Sequence, residues 1–502
     1  MQFENVQQAL ALLDELEATQ AAYNHAMGVL GVDAATVAPQ ASAAYRGKTM
    51  AVLSGVIYGL VADPKNLEVA AYLLEHRDEL NPETIRRVQL FKKECEQLSR
   101  IPQEEYVDYQ VLLNDADGIW RKAKSENDFE SFAPVLQKII DYSRKFAGYY
   151  NAEMEPYNAL LNEYEEGLTM ETLDVFFKQL REAIVPVIHA VAKKPQIEDA
   201  FINRTYPVNV QRDFSHFLMQ SIGMDETRCT LSETEHPFTS GFNTDDVRIT
   251  THYYENDVAS SMFSVLHEGG HAIYDMGYDP RYNGTVLGSG FALSIHESQS
   301  RFYENIIGRS EAYIRSVFPK MQEFFPEQLS DVTAEMMYRA VNKAEPSLIR
   351  IEADELTYAL HIMVRYEIEK KLITGELAVK ELPQAWNAMV KEYLGIDVPD
   401  DARGCLQDTH WASGLFGYFP SYALGSAYAS QMKVVMEKEI GSVDALIEAG
   451  EIAKITAWLG EHIHTPGSLY SPVELFERSC GKFDAKYYTD YLTEKFSALY
   501  NL

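Results

Sequence analysis

Positive charge is scarce in this chain: 44 lysines and arginines stand against 75 aspartates and glutamates, a formal net charge of -31. That balance argues against nucleic acid or an anionic membrane as the main partner, since both are bound by basic clusters. Cysteine is rarer still. Cys95, Cys229, Cys405 and Cys480 form no CxxC pair, which excludes a cysteine-based zinc finger and fits a reducing compartment, the cytoplasm. No run of about 18 uncharged apolar residues occurs, so no segment is expected to span a bilayer. Residues 1–20 carry acidic groups early and lack an unbroken apolar stretch, so they read as an amphipathic helix and not a signal peptide. Linkers rich in Pro or Ser/Gly are missing, as is any repeat of fixed period, so nothing marks a domain boundary or an array.

What the chain does have is helical periodicity. Leucines and alanines recur at three- and four-residue intervals in "NVQQALALLDELEATQAAYNHAMGVL", "LEVAAYLLEHRDEL", "ETLDVFFKQLREAIVPVIHAVAKK" and "ALIEAGEIAKITAWLGEHI". Two further helices are predicted to meet near Pro346, the second running from Ser347 to Leu372 with Gly375 as its C-cap. One segment differs. "HPFTSGFNTDDVRITTHYYE" places β-branched and aromatic residues around "NTDD", the pattern of a short hairpin whose free edge could take up a peptide backbone. The expected fold is a large, mainly α-helical body with a small β-sheet beside one helix.

That helix contains "VLHEGGHAIYD", Val265 to Asp275. His267 and His271 lie one turn apart on the same face and can share one metal ion, with Glu268 placed as a general base toward a bound water. The pattern also arises by chance, as surface histidines beside a solvated glutamate. Two observations weigh against chance. On a helical wheel Ala259, Met262, Phe263, Leu266 and Ile273 share one face, with both histidines at its edge and Glu268 beyond. Gly269 and Gly270 fall on that apolar face and read as packing devices admitting a second helix. A third ligand is also available: 25 residues separate Glu297 from His271 in "GSGFALSIHESQSRFYENIIG", another predicted helix. Glu297 is favoured over His296, Asp275 and Asp279. Tyr274 and Gly277 occupy the positions where an HExxHxxGxxH zincin needs Gly and His, which excludes that class.

Six short motifs occur in order: "HPF" (His236–Phe238), "DVRIT" (Asp246–Thr250), "HEGGH" (His267–His271), "HESQ" (His296–Gln299), "IRIEAD" (Ile349–Asp354) and "GCLQDTHW" (Gly404–Trp411). In these the chain resembles the carboxypeptidase Taq family of HExxH zinc carboxypeptidases. One departure stands at "GVDAATVAP", where the family often has Trp-Asp and only Asp33 is kept. The resemblance implies a gluzincin-like helical fold with a deep central groove. It implies one catalytic domain over 1–502, with residues 1–200 as one groove wall and 201–502 as the catalytic part. It further implies Zn²⁺ held by His267, His271 and Glu297 (Co²⁺ suits the same ligands), a homodimer, and broad release of single residues from peptides with a free C-terminus.

A carboxypeptidase must hold a terminal carboxylate, and a guanidinium does so with two parallel hydrogen bonds. The resemblance nominates Arg350; an i, i+4 bridge to Asp354 on a helix surface is the bland alternative. Arg248 is a second candidate, or else braces its strand against Asp246. Lone histidines are more often core residues than catalytic ones, yet the resemblance assigns His236 and His410 to the substrate backbone or the oxyanion. Tyr418 and Tyr422 offer phenols, Tyr422 being preferred for the oxyanion. Gln407 and Asp408 are expected to orient a ligand imidazole. Two rival functions fit part of this pattern: an oligoendopeptidase on the same HExxH helix, and a non-catalytic helical scaffold.

Overall fold

A computed structural model describes residues 3–290 and 292–502; Met1, Gln2 and Phe291, which fall in two segments read above as helices, lie outside them. Helices dominate, and the described residues hold one three-stranded sheet in the order β1-β3-β2. The hairpin is there: β2 (Thr239–Asn243) runs antiparallel to β3 (Asp246–Thr251), with an irregularity between Gly241 and Asn243. β1 (Cys229–Glu233) adds a parallel strand on the far side of β3, which the sequence pattern did not reveal. This leaves β2 as an edge strand, and both β2 and β3 pack on the helix Val258–Asp275 that carries the histidines.

The main apolar core extends from Ile101 to Tyr500 and includes Phe176, Phe177, Leu180 and Ile184 of the helix Met170–Val191. Helices Val6–Thr36, Ala43–Val61, Pro64–Glu75 and Pro82–Arg100 hold a smaller core of their own around Leu13, Val69, Leu73, Val88 and Phe91. The change of core therefore falls near residue 100, and residues 101–200 share the packing of the catalytic part.

Three predicted helices differ in extent. The helix expected from Ser347 starts at Glu355 and ends at Thr374, with Gly375 left-handed at its C-cap as expected. Its start is fixed by Asp354, whose carboxylate accepts the amides of Leu356 and Thr357. Arg350 thus lies in a separate 3-10 turn, Arg350–Glu352, and cannot form a helical i, i+4 pair with Asp354. The segment "ALIEAGEIAKITAWLGEHI" divides into Val443–Glu448 and Ile452–Leu459 because Gly450 takes a positive φ of 72°. The helix carrying Glu297 begins at Leu293, where Glu165 accepts from the amide and hydroxyl of Ser294, and passes at Phe302 into a π-helical stretch, Phe302–Gly308.

The two glycines of the histidine helix are packing positions. A Cβ on Gly270 would stand 2.5 Å from the carbonyl oxygen of Gln299 and 2.7 Å from Ser300 Cα; one on Gly269 would meet Ile222 and Met224. A third glycine works the same way: a Cβ on Gly425, in the helix Pro420–Ile440, would lie 2.6 Å from Glu297 Cγ. Three backbones therefore converge on the residues that carry the metal-site side chains.

Helix propensity alone makes Gly270→Ala stabilising by about 1 kcal/mol. Overpacking against backbone costs about 1–3 kcal/mol, so Gly270→Ala is expected to lower the melting temperature. Gly55→Ala, in an exposed helix where a Cβ meets nothing within 4 Å, is expected to raise it. A rise in both would show that the helices can separate without penalty.

Candidate metal centre

His267 Nε2 and His271 Nε2 lie 3.7 and 3.5 Å from Glu297 Oε2. The three ligand atoms are within 4.8 Å of one another, and no other such group of ligating side chains occurs among the described residues. Two imidazoles and one carboxylate with a side open to a cavity make up the donor set of a catalytic divalent cation. The competing ligands are engaged elsewhere. His296 bonds Asp275 at 2.8 Å and stacks on the His271 ring at 4.3 Å, while Asp279 accepts from Arg281 at 2.7 Å.

The ligands are held from behind by charge. His267 Nδ1 donates to Glu304 Oε2 at 2.9 Å, which leaves the Nε2 lone pair free on the side of Glu297 Oε2. Arg301 donates to Glu297 Oε1 at 2.7 Å and to Glu304 Oε2 at 3.1 Å, and Arg309 reaches Glu304 Oε1 at 3.3 Å. Burial acts to raise both carboxyls. Arg301 and the adjacent imidazoles, joined at Glu304 by Arg309, more than offset it and hold both well below the usual range. Glu304 was not foreseen. Gln407 and Asp408 were expected in its place, but they turn away from the ligand imidazoles: Asp408 accepts from Arg350 and Arg365, and Gln407 from the Arg350 amide.

Glu268 is buried, contrary to its place on the helical wheel, because β2 covers it: Thr239 Oγ1 donates to Glu268 Oε2 at 2.7 Å. That bond fixes one carboxylate oxygen of a residue in the wall of the cavity that the candidate ligands share. His267, Glu268, His271 and Glu297 line a cavity of about 270 Å³, together with Pro237, Phe238 and Thr239 from the edge strand and its approach. Tyr418 and Tyr422 close the other side. Burial raises both phenols above their usual range, so each keeps its proton as a donor.

The remaining candidates stand at graded distances. His410 does not line the cavity but packs against Phe419 at 4.3 Å and Tyr418 at 5.5 Å; burial, aided by Arg350 and Arg365 and opposed by Asp408, pushes it down to about 4. Arg350 is buried one side chain back, its guanidinium carbon 5.4 Å from the Tyr422 ring centre. His236 is exposed, immediately before the lining residue Pro237. Arg248 forms a two-pronged pair with Asp246 at 2.9 Å and covers Phe242, bracing the strand outside the cavity lining.

Loss of the Glu304 carboxylate charge should free the His267 ring while leaving all three ligands in place. Glu304→Gln is expected to weaken metal binding by about 10- to 100-fold, measured by competition with a chelator. Unchanged affinity would mean that packing alone orients His267.

The profile of the carboxypeptidase Taq (M32) metallopeptidases matches residues 12–496. Carboxypeptidase 1 of Bacillus subtilis (strain 168) is 40% identical over 482 residues, covering 96% of each chain. Thermostable carboxypeptidase 1 of Thermus thermophilus is 35% identical over 96% of this chain and 97% of its own. The crystal structure of an M32 carboxypeptidase from Deinococcus radiodurans R1 superposes with a TM-score of 0.96 at 34% identity, over 98% of this chain and 100% of that one. With its candidate metal ligands, general-base candidate and edge strand gathered in one cavity, this chain belongs to the carboxypeptidase Taq (M32) family of metallopeptidases.

Proposed function

We propose that the protein is a zinc-dependent carboxypeptidase that removes single residues of many kinds from the free C-terminus of peptides. The observation that supports this best is the meeting of Glu268, the three ligands and two phenols in one cavity, with Arg350 directly behind it. His267, His271 and Glu297 are the ligands; Zn²⁺ held there, with Co²⁺ as a substitute, supplies Lewis acidity that activates a water and polarises the scissile carbonyl.

The chain's own groups do the rest. Glu268, oriented by Thr239, takes the proton of the attacking water and passes it to the leaving amine. Tyr422 donates to the developing oxyanion. His410 supports it from behind the cavity as a neutral imidazole packed on Tyr418 and Tyr422, its Nδ1 buried and without a hydrogen-bond partner among the described residues. The substrate backbone lies along β2, whose outer edge carries no strand among the described residues, with Tyr418 and His236 beside it. Arg350 takes the terminal carboxylate, and Arg248 braces the strand. The protein acts as one catalytic domain whose N-terminal helices back the cavity through Tyr164, edge-on to Tyr418, and meet the β2 strand through His25 against Phe242.

Four free, buried cysteines support a cytoplasmic location, and no helix of the described residues is long and apolar enough to cross a membrane. A homodimer completes the reading: the helix Ala43–Val61 exposes Tyr45, Val52 and Val56, an apolar face suited to a second copy.

A short peptide acid and its amidated twin, followed by mass spectrometry, test the direction of attack. Stepwise loss of single residues from the acid alone, stopped by a chelator, is the expected result; internal cleavage of both would make the protein an endopeptidase. Glu268→Gln should keep its metal and lose about 100- to 10,000-fold in kcat. Substantial retained turnover would remove Glu268 from the mechanism.

A further inference from the structure

Arg365, on the helix Glu355–Thr374, is 1% exposed and has no part in the mechanism above. Its Nε donates to Asp408 Oδ2 at 2.6 Å, and its Nη2 also contacts that oxygen. Arg350 holds the other oxygen: Nε and Nη2 reach Asp408 Oδ1 at 3.0 and 2.9 Å. Gln407 links the two arginines again, its Oε1 accepting from the Arg350 amide at 2.9 Å and from Arg365 Nη2 at 2.8 Å. The Gln407 amide nitrogen is bound to the carbonyls of Leu348, Arg403 and Gly404, so the oxygen is the end that faces the arginines.

Two guanidiniums therefore share one carboxylate in a buried place. The imidazoles alongside do not change the balance: burial pushes His361 and His410 down to about 3 and about 4, and both are neutral. The next carboxyl, Glu369, accepts from Trp411, Gly417 and Tyr157 and bonds neither arginine. Burial pushes it up to about 7, so it carries a partial charge at neutral pH. The cluster keeps excess positive charge, a costly state in an interior unless an anion joins it.

The most weakly engaged of these donors belongs to Arg350. Its Nη1 contacts Tyr358 Oη at a long 3.4 Å, whereas Arg365 Nη1 is bound to the His361 carbonyl at 2.7 Å. We propose that Arg365 is a positioning residue of the carboxylate subsite: by sharing Asp408 it leaves Arg350 a spare charge and a weakly engaged donor for the substrate's terminal carboxylate. This rests on the assignment of Arg350 to that carboxylate. Without Arg365, Asp408 neutralises Arg350, and the incoming carboxylate meets a closed ion pair.

Steady-state kinetics on a short peptide acid test this with Arg350→Gln, Arg365→Gln and the double variant Arg365→Gln/Asp408→Asn, each checked for folding by melting. Arg365→Gln is expected to raise KM about tenfold or more with kcat within about threefold. The double variant removes one charge of each sign, and its KM is expected within about threefold of wild type. A purely structural role gives the opposite order, with the double variant at least as impaired as the single. That order, or an unchanged KM in Arg365→Gln, overturns the proposal. Should Arg365→Gln fail to fold, the double variant decides alone, and a rise beyond threefold overturns it. Arg350→Gln separates the two layers: no change in its KM removes the carboxylate assignment itself, whereas a defect there without one in Arg365→Gln removes only the role of Arg365.

Discussion

The close approach of three helix backbones sets the geometry on which the rest of the site depends. Metal-ligand bonds of about 2.0–2.2 Å leave no room for two imidazoles on one helix and a carboxylate on another unless those helices nearly touch. They do so at Gly270, against the backbone of Gln299 and Ser300, and the helix Pro420–Ile440 closes in from the other side at Gly425. Side chains on helices packed this tightly have little freedom to reorient. The three candidate ligand atoms, within 4.8 Å of one another, are therefore brought together by the fold itself.

Electrostatics follows from that packing. Around the ligands, three carboxylates (Glu268, Glu297 and Glu304) face two guanidiniums (Arg301 and Arg309), an excess of negative charge suited to a dication. Behind Tyr422 the sign reverses, where Arg350 and Arg365 share Asp408. Two buried clusters of opposite imbalance thus stand on either side of one phenol. A peptide end offers the complementary pair: a carbonyl to polarise and, one residue further, a carboxylate to hold. In the proposed function, this spacing of charge would place the scissile bond without recognition of a side chain.

Local chemistry made much of the site legible in sequence. The i, i+4 histidines, the intervening glutamate and the downstream Glu297 can be read because ligand geometry dictates residue type and helical spacing. The two glycines could be read as packing devices because a helix tolerates them only for a reason. Partners brought in by tertiary contact were not legible. Thr239 reaches Glu268 from a strand, and Gly425 makes room for Glu297 from a distant helix. Glu304 lies in a π-helical turn whose phase cannot be counted from α-helical spacing. Asp408 was seen as important but given the wrong partner, since a carboxylate in a loop shows nothing in sequence of which cation it will meet. The start of the helix at Glu355 was missed for a similar reason: the apolar periodicity continues upstream, while the capping carboxylate of Asp354 stops the helix.

The most direct test is a crystal structure of the Glu268→Gln variant loaded with zinc and soaked with a short peptide acid. Metal density bounded by His267 Nε2, His271 Nε2 and Glu297 is expected, with the terminal carboxylate against Arg350 and the peptide backbone along β2. A peptide that runs through the site in both directions, or a carboxylate held away from Arg350, would contradict this arrangement.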